Sequence, residues 1–183
     1  MKLVLASASP RRKRLLGKIV KRFGVSAANI GERMGKGEPF SSACMRLAKK
    51  KAAAVSSKNP GAIVIGADTI AYRGKKNFRK TESEATAKKV LSFLRGKTHY
   101  VITGVAVIFP SGKCVKYGVR ASVKMKKFGD KQMASYLKSG EWKGRAGCYD
   151  ISGKGAALVE KVRGEKETVV GLPLRRLRMF LKN

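Results

Sequence analysis

Leu3-Val4-Leu5-Ala6-Ser7-Ala8-Ser9-Pro10-Arg11-Arg12 is the stretch that decides the fold. Three apolar residues suit a short buried strand, Ser7 to Ser9 a tight polar loop, and Pro10 the first position of a helix, where its missing N–H would have been unpaired anyway. Ser9 is a suitable N-cap, its hydroxyl able to accept from a free N–H of the first turn. Ser7, Ser9, Arg11 and Arg12 thereby gather at the positive end of a helix together with unpaired backbone N–H groups. That combination is what a phosphate or carboxylate needs. Taken alone, the stretch also fits a basic helix start facing solvent, so its meaning depends on the residues downstream of it.

Outward from this loop the chain alternates between helical and strand periods. A first helix is expected from Pro10 to about Phe23, then a Gly-rich loop from Gly24 to Gly37 that carries Glu32. Ser41 or Ser42 would cap a second helix, with Ala43, Cys44, Leu47, Ala48, Ala52 and Val55 at helical spacing and Arg46, Lys49 and Lys50 on its other face. Ala62 to Tyr72 is a mostly apolar run that reads as a buried strand, with Asp68 conspicuous within it: a carboxylate in that setting must be paired, solvated or metal-bound. Arg73 to Thr81 reads as a basic loop, Ser83 as the start of a third helix ending at Gly96, and His99–Phe109 and Lys113–Lys126 as strands joined in a hairpin. A short helix from Asp130 to Lys138, a strand from Ala156 to Val162 and a last helix from Leu172 to Leu181 complete the order. The expected architecture is one α/β domain with a mixed central sheet flanked by helices, in two lobes around a cleft.

Composition bounds the function. At 183 residues and 43% hydrophobic the chain suits one domain with a sizeable core. It has no run of 18 apolar residues to cross a membrane and no signal-peptide pattern at its start, so no membrane partner and a cytoplasmic location are expected. Cys44, Cys114 and Cys148 are widely separated, without metal-ligand spacing, and a zinc site or disulfide framework is not expected. The charge is extreme: 42 Lys and Arg stand against 11 Asp and Glu, a formal net charge of +31. Such a chain binds nucleic acid non-specifically through counterion release whatever its specific task. The basic residues run from Lys2 to Lys182 rather than in one block, which points to a property of the whole surface. Against that background each retained carboxylate gains in significance.

Several motifs in order resemble those of the Maf family of nucleoside triphosphate pyrophosphatases. They are the opening Ser7-Ala-Ser9-Pro-Arg11-Arg12, Arg46-Leu-Ala-Lys-Lys-Lys51-Ala52, Gly66-Ala-Asp68-Thr69, Thr98-His99 with Thr103-Gly104-Val105, Ala146-Gly147-Cys148-Tyr149 before Gly153, and Val169-Val170-Gly171-Leu172-Pro173-Leu174. The resemblance implies an enzyme that cleaves a nucleoside triphosphate between its α and β phosphates with a divalent metal, magnesium or manganese. It also implies a fold related to that of inosine triphosphate pyrophosphatases, and often a homodimer. It assigns Ser7, Ser9, Arg11 and Arg12 to phosphate binding, and Glu32, Lys51, Asp68 and Lys80 to the catalytic site. Glu32 and Asp68 are the metal-ligand candidates, and Asp68 equally the base that activates water.

Two positions depart from the family pattern. Arg79-Lys80-Thr81 stands where Gly-Lys-Pro is usual, which changes the stiffness of the loop that carries Lys80. Ser152 occupies a substrate-contact position where the resembled subgroup, which acts on thymidine and uridine triphosphates, has glutamine, and a hydroxyl cannot offer the paired donor and acceptor of an amide. The competing reading is a polyanion-binding protein with a decayed family site, the +31 charge being its functional feature. On residue type alone, Lys51 is one of three adjacent lysines and reads as part of a solvated helix face.

So many like charges repel one another, and screening relieves that repulsion. The melting temperature is therefore expected to rise from low to moderate salt; a steady fall over that range would contradict this.

Overall fold

The opening strand–loop–helix forms as its residues dictate. In a computed structural model, which describes residues 2–181, β1 (Leu3–Leu5) is fully buried and α1 (Pro10–Gly17) starts at the proline. The helix is shorter than the apolar spacing suggested. Lys18 and Ile19 donate back to Leu15 and Leu16, tightening the last turn, and the chain then reverses into β2 (Gly24–Val25), which pairs in parallel with β1.

The remaining elements in chain order are α2 (Phe40–Ser56), β3 (Ile63–Arg73), β4 (Lys76–Phe78), α3 (Glu84–Leu94), β5 (Thr98–Ile108), β6 (Cys114–Met125), α4 (Asp130–Lys138), β7 (Val159–Arg163), α5 (Lys166–Val170) and α6 (Leu174–Phe180). The strand order is β2-β1-β3-β5-β6-β7, with β4 paired to β3. β1 pairs in parallel with β3, whereas β3–β4 and β6–β7 are antiparallel. The mixed sheet with flanking helices is the α/β architecture expected. No helix among the described residues is long and apolar enough to cross a membrane.

The chain divides into two compact units, Met1–Thr69 with Ile102–Val119 and Gly171–Asn183, and Ile70–Val101 with Arg120–Val170. In the first, small residues bring α2 against the sheet: Ala48, Ala52 and Val55 meet Val4, Ala6, Val64 and Ala106. Gly66 and Gly104 complete the approach. A Cβ on Gly66 would run into the carbonyl oxygen of Ala48, and one on Gly104 into the backbone of Cys44 and Met45. These contacts are with backbone, which cannot swing aside.

The second unit has a larger, aromatic core of Trp142, Tyr136, Leu91, Leu94, Met125 and Phe128. Trp142 donates its indole N–H to the Leu137 carbonyl, and Tyr149 and His99 share a buried 2.8 Å hydrogen bond at His99 Nε2. Burial holds His99 down to about 4, so the imidazole is neutral in the fold.

Several local expectations are corrected. Pro39, not Ser41 or Ser42, is the N-cap of α2, and its carbonyl accepts from Ala43 N–H, leaving both serines inside the first turn. The basic loop contains β4: Gly74, at φ 58, turns β3 back so that Arg73 pairs with Lys76. Residues 154–158 form a 3₁₀ turn, so β7 starts at Val159 and not at Ala156. The last helix begins at Leu174, with Pro173 before it, and α5 precedes it unforeseen.

The glycine contacts yield a test. Gly104→Ala is expected to cost about 3 kcal/mol, the upper end of the overpacking range, because backbone must move. Gly17→Ala, with open space around it, is expected to be neutral or mildly stabilising. Urea unfolding checks both, and equal effects would refute the close-approach argument.

Candidate active site

In the first unit, the loop between β1 and α1 is organised from within. Ser9 sits at the N-cap, yet its hydroxyl makes no capping bond; the Ser7 hydroxyl accepts instead, from Ser9 N–H at 3.2 Å and from the Arg12 guanidinium at 3.3 Å. Arg12 is buried, and its three nitrogens reach three different acceptors: Nε donates to the Gly171 carbonyl at 2.8 Å, Nη1 to Ser7 Oγ, and Nη2 to Thr69 Oγ1 at 3.1 Å. Thr69 in turn shares a 2.9 Å hydrogen bond with Thr103. Gly171, at φ 118, has a backbone conformation that other residues rarely adopt, and a Cβ there would press on Thr69 Oγ1 at 3.2 Å and Arg12 Nε at 3.3 Å.

Lys51 is not on a solvated face. It is 4% exposed, and its ammonium lies between two carboxylates, 2.6 Å from Asp68 Oδ1 and 2.5 Å from Glu32 Oε1. The fold explains the meeting. Gly66 and Asp68 share one face of β3 by strand alternation, and the approach of α2 over Gly66 puts Lys51, one residue before Ala52, within reach of that face. Asp68 is 5% exposed, a charge that could not be buried without such a partner, whereas Glu32 is exposed on its loop. That loop is tied down by Arg46, which holds Glu38 at 2.7 and 2.5 Å with Nε and Nη2 and also reaches the Arg33 carbonyl. Hydrogen bonding to Arg46 holds the Glu38 carboxyl down to about 2.

The two halves of this arrangement feel each other. Burial lowers the Arg12 pKa from its ordinary value, and the charges of Asp68 and Glu32 oppose that shift. Thus Ser7, Ser9, Arg12, Glu32, Lys51 and Asp68 are assembled in one unit. Arg11 is half-buried at the start of α1. Lys80 and Ser152 belong to the second unit, both exposed. Lys80 follows β4, and Ser152 donates its hydroxyl to Asp150 at 2.5 Å while Arg145 holds the other Asp150 oxygen at 3.3 Å.

Sequence reasoning missed Thr69, Thr103, Gly171 and the Arg46–Glu38 pair. Each except Glu38 lies inside a family-like motif, but nothing in residue type said that all three nitrogens of Arg12 would be directed to protein acceptors.

The donor set suits a hard cation. Asp68 and Glu32 are two carboxylates converging on one point, and no group of three or more His, Cys, Asp and Glu occurs among the described residues. Magnesium takes oxygen ligands, keeps several waters and needs only one or two protein carboxylates beside substrate phosphates. The buried cysteines are not nucleophiles: burial pushes the Cys44 thiol up to about 12 and Cys148 to about 11.

Comparison with known proteins bears on this geometry. The family model described as "Maf-like protein" matches residues 2–183. A protein of Hyphomonas neptunium named dTTP/UTP pyrophosphatase is 41% identical over 181 residues, covering 98% of this chain and 94% of the relative. One of the same name from Paramagnetospirillum magneticum is 43% identical over 173 residues, covering 94% and 91%. Among solved structures, the Staphylococcus aureus Ham1 protein aligns over 100% of this chain and 98% of its own with a TM-score of 0.56 at 14% identity, a likeness of fold alone. With the family model matched over residues 2–183 and relatives of about 40% identity covering nearly the whole chain, the chain belongs to the Maf family.

Proposed function

We propose that this chain is a nucleoside triphosphate pyrophosphatase that hydrolyses the α–β phosphoanhydride, yielding a nucleoside monophosphate and pyrophosphate, with thymidine and uridine triphosphates preferred. The observation that carries the reading is the convergence of Asp68 and Glu32 on Lys51 beside Arg12, in a member of a family whose relatives at about 40% identity are named for this reaction.

In the reaction a water oxygen bonds to the α phosphorus, the bridging oxygen leaves with pyrophosphate, and the water proton must be taken up. Negative charge builds on the leaving group, so fixed cations favour the transition state over the ground state. Lys51 holds the Asp68 carboxylate through Oδ1, which leaves Oδ2 to orient or deprotonate water, or to bind a cation. Glu32, exposed on its tethered loop, is the second oxygen donor. Arg11 is the more accessible cation of its loop for the phosphate tail, while Arg12, with its nitrogens directed inward, holds the loop in shape and adds its field; the family resemblance alone assigns Lys80 to the same task. Magnesium, or manganese in its place, would be held by Asp68 and Glu32 and would neutralise phosphate charge when bound. Ser152 contributes to base choice, its hydroxyl turned to Asp150.

Pyrophosphate release on a panel of nucleoside triphosphates tests this. Thymidine and uridine triphosphates with magnesium should be turned over fastest, chelation should abolish release, and Asp68→Asn should lower turnover by about 10²–10⁴-fold. Unchanged turnover in that variant would remove Asp68 from the site. No turnover on any triphosphate, with tight salt-sensitive RNA binding, would favour the polyanion-binding reading.

A further inference from the structure

In the second unit, strand alternation separates two faces of β3, β5, β6 and β7. Ala71, His99, Val101, Val123 and Met125 turn to the core, and the residues between them turn the other way. That other face is not apolar. Tyr72 on β3 and Tyr100 on β5 lie with ring centroids 5.7 Å apart, tilted by 31°, and Tyr100 is 37% exposed. The Arg120 guanidinium on β6 sits 5.0 Å from the Tyr100 ring centroid. The pairings Ser122 with Arg163 and Lys124 with Lys161 carry the basic character on to β7. A hollow of about 320 Å³ there has Lys124, Lys161, Arg163 and Glu160 in its wall. Lys124 already gives one N–H to the Gly96 carbonyl, at 2.8 Å.

We propose that this face binds single-stranded nucleic acid, the two tyrosines and the Arg120 plane stacking bases and Lys124, Lys161 and Arg163 following the phosphates. Aromatic rings and guanidinium planes on an open sheet flanked by lysines and arginines offer the two contacts a single strand needs, a stacking platform and a cationic track. Four strands about 4.8 Å apart make the face about 14 Å wide, a span suited to a few stacked nucleotides. A duplex, its bases already stacked, could use only the cations. A second copy of this chain is a poorer occupant. In a two-fold contact the patch would meet itself, setting Arg120, Lys124, Lys161 and Arg163 against the same four, with Glu160 the one acid in the wall of the hollow among the described residues. None of the residues of this surface is among those assigned to pyrophosphate release, and the inference does not depend on that assignment.

The test is fluorescence anisotropy of a labelled short single-stranded RNA with chelator present, on the full chain. Tyr72→Ala with Tyr100→Ala should weaken binding about tenfold, while the corresponding Phe pair retains it, because stacking needs the ring and not the hydroxyl. Lys161→Gln with Arg163→Gln should lower the slope of log affinity against log salt by about 1.4, two phosphate contacts at about 0.7 each. A control pair in the first unit with the same charge change, Lys58→Gln with Lys113→Gln, should leave that slope nearly unchanged. Pyrophosphate release should be unaffected in all four. An equal effect of the control pair, or undiminished binding by the Ala pair, would show diffuse charge attraction and overturn the proposal. So would duplex RNA binding as tightly as the single strand. Conversion of a dimer to a monomer by the Ala pair in sedimentation, without change in RNA affinity, would assign the face to self-association instead.

Discussion

A charge inside a protein must be accompanied, and Asp68 is accompanied by Lys51. Both side chains are 6% exposed and 2.6 Å apart, so neither has water to fall back on. Breaking such a buried pair by removing one member costs about 3–5 kcal/mol, since the survivor is left uncompensated. Replacing both by apolar groups of the same shape would be far cheaper, so the pair adds little net stability. What it fixes is the place of the Asp68 carboxyl group, with Glu32 brought to the same ammonium from an exposed loop.

Much of the first unit serves to set that distance. Ala48, Ala52, Gly66 and Gly104 let α2 lie closer to the sheet than larger side chains would allow, and Lys51 rides on the helix so placed. The Arg46–Glu38 pair ties the Glu32 loop to the same helix, and Arg12 fastens the β1–α1 loop to Gly171 and to the Thr69–Thr103 pair. Arg12 therefore contributes as much by fixing the shape of the loop as by its charge. The β1–α1 loop is thus tied by hydrogen bonds to a backbone carbonyl and to side-chain hydroxyls.

Elements whose formation depends on local chemistry were legible in the sequence: Pro10 opens α1, Ser83 caps α3 by accepting from Thr86 N–H, and α4 spans Asp130–Lys138 as its pattern predicts. Those that depend on tertiary pairing were not. β4 exists because Gly74 folds it onto β3, and α1 stops at Gly17 because the chain must return to pair with β1. The site shows the same division. Asp68 stood out because a carboxylate in an apolar strand is costly, but Lys51 is indistinguishable from Lys49 and Lys50 by residue type; only the family resemblance singled it out, and the close approach of α2 explains why. The Ser9 hydroxyl was expected to cap α1, yet the neighbouring Ser7 hydroxyl supplies the organising acceptor, because Arg12 folds back toward it.

The most direct test of Lys51 and Asp68 as one working unit is a kinetic double-mutant cycle of Lys51→Gln, Asp68→Asn and the pair together, read as pyrophosphate release at saturating triphosphate and magnesium. Groups that act together lose their effect together. The double variant should be about as slow as Asp68→Asn alone, with Lys51→Gln already strongly impaired. Losses that multiply, or full turnover in Lys51→Gln, would contradict the account.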